Sequence, residues 1–207
     1  MITSHTSENS GEPRNGEPAR EREYLTLAFS PLSVPLRSRW RNNGLSADFL
    51  GDYVTTFLPT KGSAADAETR QSEIRHAVTY IANELLENAM KYHERRVDIP
   101  IGIHLELTSD HITVSASNGI GVEQAQRYRA FVEYISAGDA TDLLVRQQEE
   151  SATCNGATVS RLGLLTMISD HGARLSWRFD VHPRQMELMT VTTSVVLPLE
   201  SSVGASV

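Results

Sequence analysis

Hydrophobic positions recur along this chain in two periods, and the switches between them divide it into elements. Tyr24 to Ser30, YLTLAFS, alternates and predicts a strand. Ser46 is placed to cap a short helix, with Leu45 stapled onto Leu50, a buried face of Phe49, Tyr53, Val54 and Phe57, and Pro59 as its stop. Lys61 to Thr69 reads as a polar connection. From Ser72 to Arg95 the apolar residues Ile74, Ala77, Val78, Ile81, Leu85 and Ala89 keep the spacing of an amphipathic helix with one buried stripe. Two alternating runs from Ile101 to Ser117 flank Thr108-Ser109-Asp110-His111 and predict a hairpin.

The hairpin leads into Ser117-Asn118-Gly119-Ile120-Gly121, read as a Gly-containing turn where backbone can approach a ligand closely. Val122 to Ser151 then reads helical and polar, with Tyr128, Phe131, Val132 and Ile135 on one face of Gln124 to Ser136. Gly138 separates that stretch from a second candidate, Thr141 to Glu150. A small-residue loop, Ser151 to Ser160, precedes a helix from Arg161 to His171 with Gly172 as its C-terminal cap. Arg174 to Val181 and Glu187 to Leu197 alternate and predict a closing hairpin.

Composition narrows the classes. At 207 residues there is length for one domain, assigned to 24–200. Met1 to Glu23 has almost no large apolar side chain and reads as a disordered tail, and 201–207 as a flexible one. A formal charge of −7 argues against a general nucleic-acid or anionic-membrane binder. The single cysteine, Cys154, has no partner for an internal disulfide, and neither a signal pattern nor a spanning apolar run is present, so a cytoplasmic protein is expected. The histidines show no H-E-x-x-H spacing, and no Walker A run or G-x-S-x-G elbow occurs. Arg37, Arg39, Trp40 and Arg41 read either as a basic, aromatic partner patch or as a loop whose Trp40 plugs the core.

The candidate chemistry lies in Glu84 to His93, ELLENAMKYH. At roughly 100° per residue, Glu84, Asn88 and Lys91 project together beside the apolar stripe, at the rim of the core, where pockets form. An ordinary Glu87–Lys91 pair with solvated neighbours is the plainer reading.

The run E-x-x-x-N-A-x-K, carried by Glu84, Asn88, Ala89 and Lys91, resembles the N-box of the GHKL ATPase superfamily, which includes histidine-kinase ATP domains and anti-sigma-factor serine kinases. That resemblance implies a Bergerat fold: an α/β (α+β) two-layer sandwich, its mixed, mostly antiparallel sheet covered on one face by helices. It further implies ATP or ADP with Mg²⁺, the metal held by Asn88, Glu84 as the general base, and Lys91 near the phosphates. Ser117 to Gly121 resembles the family's G1 box, D-x-G-x-G, with Gly119 and Gly121 matching the glycines, Ser117 in place of the adenine-binding Asp, and Asn118 beside it. The interval that follows matches the mobile ATP lid. Gly163 matches the second glycine of the G2 box, while Arg161 replaces the first and would either contact phosphate or block close approach.

The resemblance runs from about Tyr24 to Leu199, and RWRNNGLSADFL at Arg39 to Leu50 is similar to small bacterial, notably cyanobacterial, ATP-binding regulators. It implies a serine/threonine kinase acting on a small STAS-like or sigma-related regulatory protein, with a homodimer allowed. The alternative is a nucleotide-dependent switch that controls a partner without chemistry.

Overall fold

The computed structural model describes residues 22–30, 40–58, 63–94, 97–138, 143, 159–183 and 185–199. The alternating runs become β1 (Glu23–Phe29), β2 (Ile101–Leu107), β3 (His111–Gly121), β4 (Arg174–Val181) and β5 (Leu188–Pro198). Helices α1 (Trp40–Thr55) and α2 (Ala64–Tyr92) precede β2, α3 (Val122–Ala137) follows β3, and α4 (Val159–His171) precedes β4. The five strands form one sheet in the order β1-β2-β3-β5-β4. Every described pairing is antiparallel, so the expected two-layer α+β class holds, with a sheet that is wholly rather than mostly antiparallel.

Alternation decides which face of the sheet is covered. Ile101, Ile103 and Leu105 of β2, Ile112 and Val114 of β3, and Val195 of β5 are buried in one core with Val78, Ile81, Leu85 and Leu86 of α2. Each fully buried aliphatic side chain contributes about 1.5–3 kcal/mol. The other face carries short polar side chains in register: Thr26, His104, Ser115, Ser194 and Ser176 form one row across all five strands. Within it Thr26 Oγ1 lies 2.8 Å from His104 Nδ1, and Ser115 Oγ donates to Ser194 Oγ at 2.8 Å.

Several boundaries differ from the sequence reading for local reasons. α2 begins at Ala64, inside the stretch read as a connection, because Ser63 caps it: Ser63 Oγ accepts from the Asp66 N–H at 3.2 Å and donates to Asp66 Oδ2 at 2.6 Å. Ser63 is thus the helix N-cap, its hydroxyl bonded to both the N–H and the carboxylate of Asp66 at the third helical position. In α1 the buried face is Asn43, Ala47, Leu50 and Val54, whereas Leu45 is 70% and Phe49 49% exposed, and Phe57 just beyond the helix is 41% exposed. The expected staple and the burial of Phe49 and Phe57 are therefore corrected, whereas Val54 is buried and Tyr53 packs against the core. Phe49 and Phe57 instead lie outside, tilted against the partly buried Tyr53 at 6.3 and 5.1 Å between rings.

The run Ser117 to Gly121 is strand, not turn, and pairs with β5 as far as Gly121 opposite Leu188. Gly172 adopts φ +58°, as a C-terminal cap requires. Glu23, assigned to the tail, opens β1. Residues 1–21 of that tail, the C-terminal tail, Cys154, the Trp40 and Arg37–Arg41 side chains and the second helical candidate lie outside the described residues, Leu143 of the last excepted.

Candidate functional site

The last two turns of α2, the end of β3 and the first turns of α3 enclose a cavity of about 900 Å³. Helical spacing brings Leu85, Asn88, Ala89 and Tyr92 to its wall from α2, and strand alternation brings Ala116, Asn118 and Ile120 from β3. Leu164 of α4 and Thr193 of β5 complete the floor, while Glu94, Glu123, Glu187 and Arg127 bring charge.

An aromatic group forms one side. Tyr128 of α3 stacks on Tyr92 at 6.4 Å and on Phe131 at 6.2 Å between ring centroids. Its hydroxyl accepts from Trp177 Nε1 at 3.0 Å and lies 3.3 Å from Thr193 Oγ1. Burial above all raises the Tyr128 pKa, against the opposing effect of those hydrogen bonds, so the ring stays a neutral phenol.

The chain leaving α2 is clasped to β3 at Gly119. The Glu94 N–H donates to the Gly119 carbonyl at 2.8 Å, and the Gly119 N–H donates to His93 Nδ1 at 3.3 Å. A Cβ on Gly119 would stand 2.9 Å from Ile99 Cδ1, so this glycine admits the crossing chain rather than a ligand. Gly121 does line the cavity, and a Cβ there would meet open space.

His93 is buried, and Nδ1 can accept from Gly119 only in the neutral ring. Its pKa is lowered, by burial first, with the Val97 backbone and Glu94 pulling the other way. The folded value lies below the unfolded one, so His93 contributes stability above the unfolded pKa of about 6.5 that is lost as the pH falls through the folded value. We expect urea midpoints to drop between pH 7.5 and the acid side of that window, and to drop less in His93→Gln, whose carboxamide oxygen can keep the Gly119 bond. Equal slopes for the two proteins would refute the role given to this histidine.

The sequence-predicted residues separate into two groups. Asn88, Asn118 and Gly121 line one cavity. Lys91 is exposed and its ammonium sits over the Tyr92 ring, 5.3 Å from the centroid, off the cavity wall. Ser117 faces the opposite side of the sheet, where its Oγ would stand 2.9 Å from a Cβ at Gly102, because the strand continues through it and alternation sends Asn118 inward instead. Arg161 lies in the first turn of α4, with its side chain outside the described residues.

Glu84 sits one turn before Asn88, half-buried beneath α4, where the missing side chain of Gly163 makes room: a Cβ there would collide with Glu84 Oε2. Burial, then Glu87, raises the Glu84 pKa. Gly163→Ala is expected to push the carboxylate toward water and return its pKa toward the ordinary range. Overall stability should change little, since alanine gains about 1 kcal/mol of helix propensity over glycine. Carboxyl NMR titration checks this, and an unmoved Glu84 would contradict the contact.

The residues missed from sequence are Tyr92, Tyr128, Thr193 and His93. Tyr128 and Phe131 share a helical face, which is the available signal; Thr193 lies 65 residues from Tyr128, and nothing local pairs them.

No family model matches the chain, and no curated protein matches it. Among solved structures it is similar in fold to a chain of the SiaB–SiaC complex from Pseudomonas aeruginosa, with a TM-score of 0.55 and 16% identity over 84% of this chain and 89% of that one. At this identity the likeness is one of fold: helices over one face of an antiparallel sheet.

Proposed function

We propose that the chain is an ATP- or ADP-binding regulator of a partner protein, built on the GHKL plan, that phosphorylates a serine or threonine of a small STAS-like protein. The observation that carries the nucleotide reading is that Asn88 of the N-box-like run and Asn118 and Gly121 of the G1-like run line one cavity. Its aromatic wall suits a flat base, and its size suits a nucleotide-sized ligand.

Among the described residues no three His, Cys, Asp or Glu side chains gather as a metal site, so Mg²⁺ fits here as an ion carried by phosphates, with Asn88 supplying a protein oxygen. When bound, the ion would neutralise charge on the phosphate oxygens. Arg127 adds a guanidinium to the wall. Glu84, with a raised pKa and one turn from Asn88, suits the role of accepting the proton of an incoming hydroxyl.

A regulator of this kind meets another protein, and the exposed Leu45, Phe49 and Phe57 form an apolar stripe of the sort that marks interfaces. The fold neighbour comes from a complex of SiaB with SiaC, which supports a protein partner for this chain as well. No helix among the described residues is long and apolar enough to cross a membrane.

The alternative is a switch that binds nucleotide and partner without chemistry. It is favoured by Glu84 lying beneath Gly163 rather than on the cavity wall, and by Lys91 lying outside it. Incubation with Mg-ATP and candidate STAS-like proteins, read by intact mass, decides between them. A gain of one phosphoryl group on the partner supports the kinase, and nucleotide-dependent complex formation with unchanged masses supports the switch.

A further inference from the structure

Asn118 is 5% exposed, lines the cavity from β3, and its Nδ2 is buried with no hydrogen-bond partner. A buried amide donor left unmet is costly, so the position calls for an acceptor on whatever fills the cavity. Beside it stand Ile120, Val191 and the aromatic ring of Tyr128, a surface for a flat, largely apolar group with a polar edge.

The chemistry of that edge follows from the side chain. A carboxylate here would only accept, so it could meet the donors of a base edge but never its acceptors. A carboxamide donates from one end and accepts at the other, and half a turn about its last torsion exchanges the two. Adenine offers an amino donor next to a ring-nitrogen acceptor. Guanine and hypoxanthine offer a carbonyl acceptor next to a ring N–H donor. The same carboxamide can pair with either edge through two hydrogen bonds.

We infer that Asn118 is the base-reading residue and that the cavity takes purine nucleotides with a 6-amino or a 6-oxo edge at comparable affinity. The inference rests on the nucleotide reading above and adds its selectivity. Ser117, the neighbour in the position of the family's base-binding acid, has no part in it, because its side chain lies on the far face of the sheet against Gly102.

Calorimetry on the full chain with Mg²⁺ and either ADP or GDP tests it without any variant. Affinities for the two within about ten-fold are expected, since both edges satisfy the carboxamide. Asn118→Ala should then weaken both by about ten-fold while their ratio stays within that margin, because it removes the carboxamide bonds that either edge makes. Ser117→Asp should leave both affinities where they were. A parent protein that prefers ADP by more than that margin overturns the inference while the nucleotide reading stands. So do undiminished affinities for both nucleotides in an Asn118→Ala protein that circular dichroism shows to be folded. Binding of neither nucleotide is a different failure: it removes the nucleotide reading itself, and this inference with it.

Discussion

Asn88→Ala is expected to weaken binding of Mg-ATP by about 10- to 100-fold, the scale of losing one strong polar contact to a charged group. Asn88 stands on the cavity wall between Leu85, Ala89 and Tyr92, so its removal deletes a polar atom and leaves the apolar surroundings in place. Alanine also favours helix more than asparagine does, and α2 should remain formed. The discriminating measurement is calorimetry with Mg²⁺ and again with a chelator. If Asn88 acts through the metal, the parent's affinity depends on Mg²⁺ and the variant's does not. A variant that binds Mg-ATP like the parent would show that the nucleotide, if it occupies this cavity, does not place its phosphates at α2.

The helix that carries Asn88 was legible because its apolar stripe is long and unbroken, from Ile74 to Ala89, and burial follows it at Ala77, Val78, Ile81, Leu85 and Ala89. Its beginning was not, because Ser63 and Asp66 make their cap in a stretch whose polarity resembles a loop. The same stripe logic failed in α1. Phe49, Tyr53 and Phe57 share a face at helical spacing, yet small residues occupy the side toward α2: a Cβ on Gly51 would clash with Thr79 Oγ1, and Ala47 is fully buried. Close approach of two helices selects small side chains at the crossing, which leaves Phe49 and Phe57 outside, and hydrophobicity alone cannot show that.

The G1-like run shows a different limit. Two glycines in five residues look like a turn, but strand pairing with β5 continues through them as far as Gly121. Once that stretch is a strand, alternation rather than motif spacing decides which side chain faces the cavity, and it chooses Asn118 over Ser117. Helical angle puts Lys91 closest to Glu84, and in the last turn of α2 its long side chain folds over Tyr92 instead of continuing along the cavity wall. Pairings distant in sequence, such as Tyr128 with Thr193 and Glu94 with Gly119, leave no local trace at all.

Glu84→Gln should separate chemistry from architecture by moving two quantities in opposite directions. The Glu84 pKa is raised by burial under α4 and then by Glu87, so the folded value lies above the unfolded one, near 4.5. Between those values the folded state holds the proton more tightly, and stability declines as the pH rises through that window. Above it the protein carries a half-buried charge at a cost. Glutamine keeps the shape and removes the charge, so the variant should melt a few degrees higher at neutral pH, as substitutions that relieve a functional site commonly do. If Glu84 takes the proton of the attacking hydroxyl, phosphoryl transfer to a STAS-like partner should fall by about 10²- to 10⁴-fold, the range for losing a general base, while nucleotide affinity stays within a few-fold. Melting curves across pH and single-turnover transfer from Mg-ATP read the two effects on the same preparation. A higher melting temperature with undiminished transfer would confirm the buried charge and exclude Glu84 as the base. An unchanged melting temperature would instead contradict the packing of its carboxylate against Gly163.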